Sequence, residues 1–216
     1  MTKVQLGLIA AVSMAFASCK APPQTQLEPV SLLLGTYDNA AQFEAADDAL
    51  KITPKIGDTR VWIDLQHARF LTVDVPAIPG TVVGLEWRKG GVDGPISRQR
   101  LWAFRMDLAN PVMEFYGFKG EVDMNSPAAL AALTQDDLIA YGDACALPII
   151  AGDGGYMMTI PQTCQITTQS GRKMTLSATI KVTGEMLSYE EAGISADGTP
   201  VFAVPGQMAY AFKRVR

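Results

Sequence analysis

Alternation of apolar and polar positions dominates the last third of the chain. Met174, Leu176, Ala178, Ile180 and Val182 alternate with Lys173, Thr175, Ser177, Thr179 and Lys181, the period of two that buries one strand face and wets the other. Strand signals also fill "GYMMTI", "TCQITTQSG", "EMLSYEEAG", "TPVFAVPG" and "QMAYAFKR". Earlier, "RVWIDLQ" (60–66) sets Val61, Ile63 and Leu65 against Trp62, Asp64 and Gln66, and "ARFLTVDV" follows a turn expected near His67. "TVVGLEWRKGG" ends at a glycine turn, Gly90 and Gly91, that hands over to another strand, and "NPVMEFYGFKGEV" (110–122) is an aromatic strand. Two helical segments interrupt the pattern. One lies between Asn39 and Leu50, capped by Asp38 or Asn39; the other starts with Ser126 at N-cap and Pro127 at N1, with a further turn begun by Thr134, Asp136 and Asp137 and an end at Gly142. Eight to ten short antiparallel strands predict a mainly β fold, a sandwich or a closed barrel.

The stretch "GPISRQRLWAFRMD" (94–107) puts charge where a core face is expected. Arg98, Arg100, Trp102, Phe104 and Met106 share one face; Ser97, Gln99, Leu101, Ala103, Arg105 and Asp107 share the other. Two arginines among aromatics require an anion, because an unpaired charge in a dry interior costs several kcal/mol.

Length and charge narrow the possibilities. With 216 residues and 48% hydrophobic content the chain builds one good core. A net charge of -4 and a pI near 5.0 leave no basic field for a phosphate backbone, so nucleic acid is excluded as a partner. At the N-terminus, Lys3 precedes an apolar run from Leu6 to Ala17, which reads as a signal peptide over residues 1–18. The run is shorter than the roughly 20 apolar residues of a membrane-spanning helix. "AFASCK" resembles a bacterial lipobox with Cys19 as the lipidated residue, although Phe16 stands where leucine is usual; an ordinary signal peptide cleaved nearby is the alternative. Residues 19–30 then form a polar, proline-bearing tether. These features predict a lipoprotein anchored in the cell envelope and facing the periplasm.

Export also changes the cysteine reading. With Cys19 carrying lipid, Cys145 and Cys164 remain as a pair in an oxidising compartment, and a disulfide is expected. A metal site on the same thiolates lacks further ligands, since His67 is the only histidine and no CxxC or HxxH motif is present. A Ser-His-Asp hydrolase finds no G-x-S-x-G, and "AGDGGY" (151–156) reads as a hairpin turn rather than a phosphate loop.

Taken in order, "YDNAAQF", "GLEW", "SRQRLWAF", "YGDAC", "TCQ" and the "GQMAYAFKR" ending resemble the CpcT/CpeT family of phycobiliprotein chromophore lyases, over roughly residues 31–216. Arg98, Gln99 and Arg100 are the most specific match, with Ser97 at the usual tyrosine. Glu86 matches the strand glutamate, Trp87 replaces the following glutamine, Asn39 and Gln42 match the helix, and Cys145 and Cys164 match the family cysteines with Ala144 in place of a glycine. The chain departs from the family at Tyr189 to Gly193, where an Asp-Arg-Gly segment is usual.

The resemblance implies a calycin-like (lipocalin-like) antiparallel barrel of about eight to ten strands with two short helical segments and a tendency to dimerise. It implies a bilin, a linear tetrapyrrole such as phycocyanobilin, held in the calyx and attached to a cysteine of an acceptor protein, with no cofactor required. Arg98 and Arg100 are then expected to receive propionates, as guanidinium forks do, with Trp87, Trp102 and Phe104 against the conjugated body. Glu86, Arg98 and Arg100 form the expected catalytic set. Internal pairing of Glu86 with one of the arginines across the hairpin is the structural alternative. A non-catalytic periplasmic carrier of a small apolar acid is the functional one, and a structural envelope protein with a filled barrel is a third.

Overall fold

A computed structural model describes residues 28–52, 62–152, 154–167, 171–204 and 209–215. Short connections carry the chain through β1 (Gly35–Asp38), β2 (Gln66–Val73), β3 (Thr81–Lys89), β4 (Ile96–Arg105) and β5 (Val112–Phe118). It continues through β6 (Leu138–Ala140), β7 (Leu147–Gly152), β8 (Gly155–Thr159), β9 (Gln165–Thr167), β10 (Lys173–Thr183), β11 (Met186–Ile194), β12 (Pro200–Val204) and β13 (Tyr210–Arg214). Ten of these close an antiparallel barrel in the order β11, β13, β1, β2, β3, β4, β5, β7, β8, β10, with β10 pairing back to β11. Closure leaves no long unpaired edge. The three remaining strands extend the wall: β6 beside β5, β9 beside β10 and β12 beside β11.

β10 turns its apolar set inward, and β3 to β5 bury apolar residues on both faces. On β10 the five residues from Met174 to Val182 expected to face the core are all buried, and Gly90 and Gly91 take positive φ at the β3–β4 turn as that turn requires. The other face of β3–β5 is covered by the segment after β5, where α3 (Pro127–Ala131) begins with the Ser126 hydroxyl accepting from the Ala129 N–H. Leu130, Leu138 and Met124 there bury Val82, Leu101 and Tyr116 in a second, outer core. The Met124 methyl sits over Gly84, in the space a Cβ would take.

The first and last described segments meet at one end of the barrel. A short helix, α1 (Pro29–Leu33), straddles the boundary expected between tether and domain and inserts Leu32 and Leu33 into the barrel core. Arg214 donates to the carbonyls of Leu32, Leu34 and Gly184 and to the Tyr37 hydroxyl.

At the other end α2 (Ala40–Ala45) falls within the first expected helical segment. Asn39 is buried and does not cap this helix with its side chain. It donates to the Asp64 carbonyl (2.9 Å) and accepts from the Gln66 N–H (2.7 Å). That explains a departure from the expected strand over 60–66. The Asn39 amide takes backbone partners that a neighbouring strand would otherwise supply, so regular pairing begins only at Gln66 and His67 lies inside β2 instead of at a turn. Residues 1–18, Cys19 and the tether up to residue 27 lie outside the described residues, as do residues 60 and 61.

Candidate functional site

β4 carries Arg98 and Arg100 on the inner face, as the alternation requires. Arg98 reaches across to β11, where its Nη1 donates to the Tyr189 hydroxyl (2.6 Å) and to the Glu191 carboxylate, while the Tyr189 hydroxyl donates to the same carboxylate (2.6 Å). The guanidinium carbon lies 5.2 Å from the Trp87 ring centroid and 5.7 Å from that of Tyr189, within cation–π range. Burial opposes the Arg98 charge, but Tyr189 and Glu191 outweigh it and hold the guanidinium above its ordinary range. Burial likewise works to raise Glu191, yet Arg98 and the Tyr189 hydrogen bond keep its carboxyl below the usual carboxylate range. Burial pushes the Tyr189 phenol up. At neutral pH the group is therefore a cation, an anion and a neutral phenol.

Arg100 is placed differently. Its Nη1 donates to the Gln99 carbonyl at 2.8 Å, and among the described residues no carboxylate stands within ion-pair distance of it. Arg98, Arg100, Trp102, Tyr189 and Glu191 line one small cavity together with Met113, Phe115 and Ile180. About 20 Å³ there is open to the centre of a water molecule, room for roughly one water.

Aromatic packing accounts for that size. Trp87 meets Tyr189, Phe212 and Tyr210 with centroids at 4.8, 5.2 and 5.7 Å. Trp102 stacks on Tyr189 at 6.3 Å and tilts against Phe70 at 5.3 Å. Trp87 and Phe104, expected to contact a ligand, are 2% and 1% exposed and line no part of this cavity; they are core. Trp102 does line it.

Glu86 is on the opposite face. The β3–β4 register sets Glu86 against Gln99, with Leu85 against Arg100 and Trp87 against Arg98, and directly opposed residues share a face. Glu86 is buried beneath the outer surface, where Arg88 Nε donates to it at 3.0 Å and Arg69 Nη2 lies 3.8 Å away. The expected pairing of Glu86 with Arg98 or Arg100 is therefore not formed, because one residue of register separates the faces. The carboxylate that answers Arg98 is Glu191. It lies in the segment 189–193, whose sequence stood out only for lacking the basic residue of the Asp-Arg-Gly usual in the CpcT/CpeT pattern. The expected disulfide joins Cys145 and Cys164, both buried.

This geometry can be set against known proteins. No family profile matches the chain, and no curated protein matches it in sequence. Among solved structures the barrel is similar to the CRL protein of Arabidopsis, at 13% identity and a TM-score of 0.58, covering 86% of this chain and 94% of that one. It is also similar to the T-type phycobiliprotein lyase CpeT from Prochlorococcus phage P-HM1, at 9% identity and a TM-score of 0.48, covering 87% and 98%. The first likeness extends over nearly the whole barrel and establishes the shared fold.

Proposed function

We propose that this protein binds an apolar or conjugated carboxylic acid at the Arg100 end of its barrel, and that linear tetrapyrroles such as phycocyanobilin are the ligand class to which the CpcT/CpeT resemblance points. The observation that carries the reading is the unequal state of the two arginines: Arg98 is ion-paired with Glu191, whereas Arg100 acts on Glu191 only as a more distant charge and has no carboxylate within ion-pair distance among the described residues. A half-buried guanidinium fork takes a carboxylate through two parallel hydrogen bonds. Arg98, its charge answered by Glu191, is a positioning group that fixes the wall beside Arg100 through Tyr189 and Glu191. With room for about one water inside, the ligand's body lies at the periphery of the filled core.

Holding without chemistry is the first reading, because the internal carboxylate is kept ionised and is a poor proton donor. Thioether attachment of a bilin to an acceptor cysteine is the second; the pairing of Glu191 with Tyr189 beside two arginines favours it, and Glu191 takes the part expected of Glu86. Lipid anchoring through Cys19, a periplasm-facing envelope location and a homodimer accompany the carrier reading, since the phycobiliprotein partners of the family are assembled in the cytoplasm.

Titration of the full chain with biliverdin and phycocyanobilin, followed by visible absorption, tests this. Arg100→Gln is expected to weaken binding by roughly ten- to a hundredfold, the worth of a charged hydrogen bond. Equal affinity in wild type and variant refutes it. A coloured adduct on a thiol peptide that survives acid urea would favour the lyase over the carrier.

A further inference from the structure

The barrel wall is interrupted beside β5. On the edge facing away from β4, Tyr116 to Phe118 pair with β6, and Val112 and Met113 pair with β7. Glu114 and Phe115 lie between the two ladders with neither strand beside them. The chain swings away at Gly142 (φ 77°) and returns through the turn ending at Cys145. A groove of about 190 Å³ fills the gap, lined by Glu114, Phe115, Tyr116, Tyr141, Asp143 and Cys145 among others. Phe115 also lines the interior cavity of Arg98 and Arg100, so one side chain is the wall common to both. Its ring meets that of Tyr141 at 4.6 Å and 42°.

We propose that this side opening, plugged by Phe115 and Tyr141, is the portal and body-binding half of the ligand site, and that it takes a planar conjugated acid whose carboxylate reaches Arg100. The inference rests on the acid-binding reading above and supplies what that reading lacks, a place for the body of the ligand. Turning the Phe115 ring joins groove and cavity without breaking a hydrogen bond, since the side chain has no polar atom. Two aromatic faces favour a flat ligand. Charge orients it. Arg100 lies at the inner end, beside an Arg98 whose charge Glu191 answers, whereas Glu114, which accepts from the Tyr116 hydroxyl at 2.8 Å and stands 3.8 Å from Arg105, and the exposed Asp143 lie at the outer end. A carboxylate is thus repelled by the groove mouth and drawn inward.

Stopped-flow mixing of biliverdin with the full chain tests the portal. Phe115→Ala is expected to speed association by about tenfold and Phe115→Trp to slow it comparably, a range typical of variants at one site. Asp143→Lys is expected to tighten binding more than Glu185→Lys, an equal charge change at the far end of the barrel. If neither Phe115 variant changes the association rate, and Asp143→Lys does no more than Glu185→Lys, while Arg100→Gln still weakens binding, the portal is refuted and the acid site stands. Wild-type affinity in Arg100→Gln, or no saturable binding by the wild type, overturns the acid site and the portal with it. Should Phe115→Ala fail to fold, the comparison of Asp143→Lys with Glu185→Lys decides.

Discussion

Replacing Glu191 by leucine removes the carboxylate that answers Arg98 and leaves that guanidinium enclosed by Trp87 and Tyr189. The two side chains are 16% and 14% exposed, so the pair is mostly but not wholly desolvated. Breaking a buried pair costs 3–5 kcal/mol, and the residual exposure argues for the lower figure, about 3 kcal/mol. Repulsion from Arg100, two residues along the same strand face and roughly 7 Å away, acts in the same direction. For a domain of this size about 3 kcal/mol lowers Tm by roughly 6–12 °C. Arg98→Leu should cost a similar amount, because it strands Glu191 and discards two cation–π contacts. The double variant Arg98→Leu/Glu191→Leu should recover to within about 1 kcal/mol of wild type, since apolar replacements of a buried pair are often neutral. Thermal and urea unfolding followed by circular dichroism would measure the cycle. Single variants within about 1 kcal/mol of wild type, with an additive double, would refute the argument, for that is how solvated surface pairs behave. The same substitution frees a second guanidinium beside Arg100, so biliverdin should bind Glu191→Leu more tightly than wild type.

Acid should destabilise the protein in two windows. Glu191 is held below its ordinary value of 4.5, so its stabilisation is full above that value and is lost as pH falls through its lower folded value. His67 is held below 6.5 chiefly by burial, and its contribution is present above 6.5 and declines as pH falls; His67→Gln should flatten urea stability between pH 7 and the onset of the carboxylate window. Removing the Cys145–Cys164 crosslink, by reduction or by Cys145→Ala/Cys164→Ala, should cost about 3 kcal/mol in the chain-entropy model, read as matched losses in urea midpoint for reduced wild type and variant. Glu86→Gln should lower stability by roughly 1–3 kcal/mol through its buried contacts with Arg69 and Arg88 while leaving biliverdin affinity unchanged; a selective loss of affinity would restore Glu86 to the site.

Where one strand suffices to define a feature, the sequence was legible. The alternation over Met174 to Val182, the inward parity of Arg98 and Arg100, the Ser126–Pro127 helix start and the β7–β8 hairpin are all local patterns, and each is found in the structure. Features that depend on pairing were not. Glu86 could be placed on a strand but not on a face relative to Arg100, because its partner is set by the β3–β4 register. Glu191 is more than 90 residues from Arg98 and meets it only across the closed barrel. The interior volume depended on how Trp87, Trp102, Tyr189 and Phe212 interlock, which periodicity does not express. Either Asp38 or Asn39 stood out as the helix cap; Asp38 accepts from the Ala40 N–H at 3.1 Å, whereas the Asn39 amide serves the backbone at Asp64 and Gln66.

The seating of β1 between β13 and β2 bears on when the protein can acquire its shape. Tyr37 pairs with Arg214, so the wall is completed by residues 177 positions apart, and Arg214 ties this seam to the backbone around α1. A nascent chain emerging from the ribosome therefore holds an open sheet until β13 is released. Such long-range closure is slow, and the exposed edges of β1 and β11 would meanwhile offer pairing sites to other chains. Loss of β13 would therefore leave not a trimmed edge but an unfinished barrel.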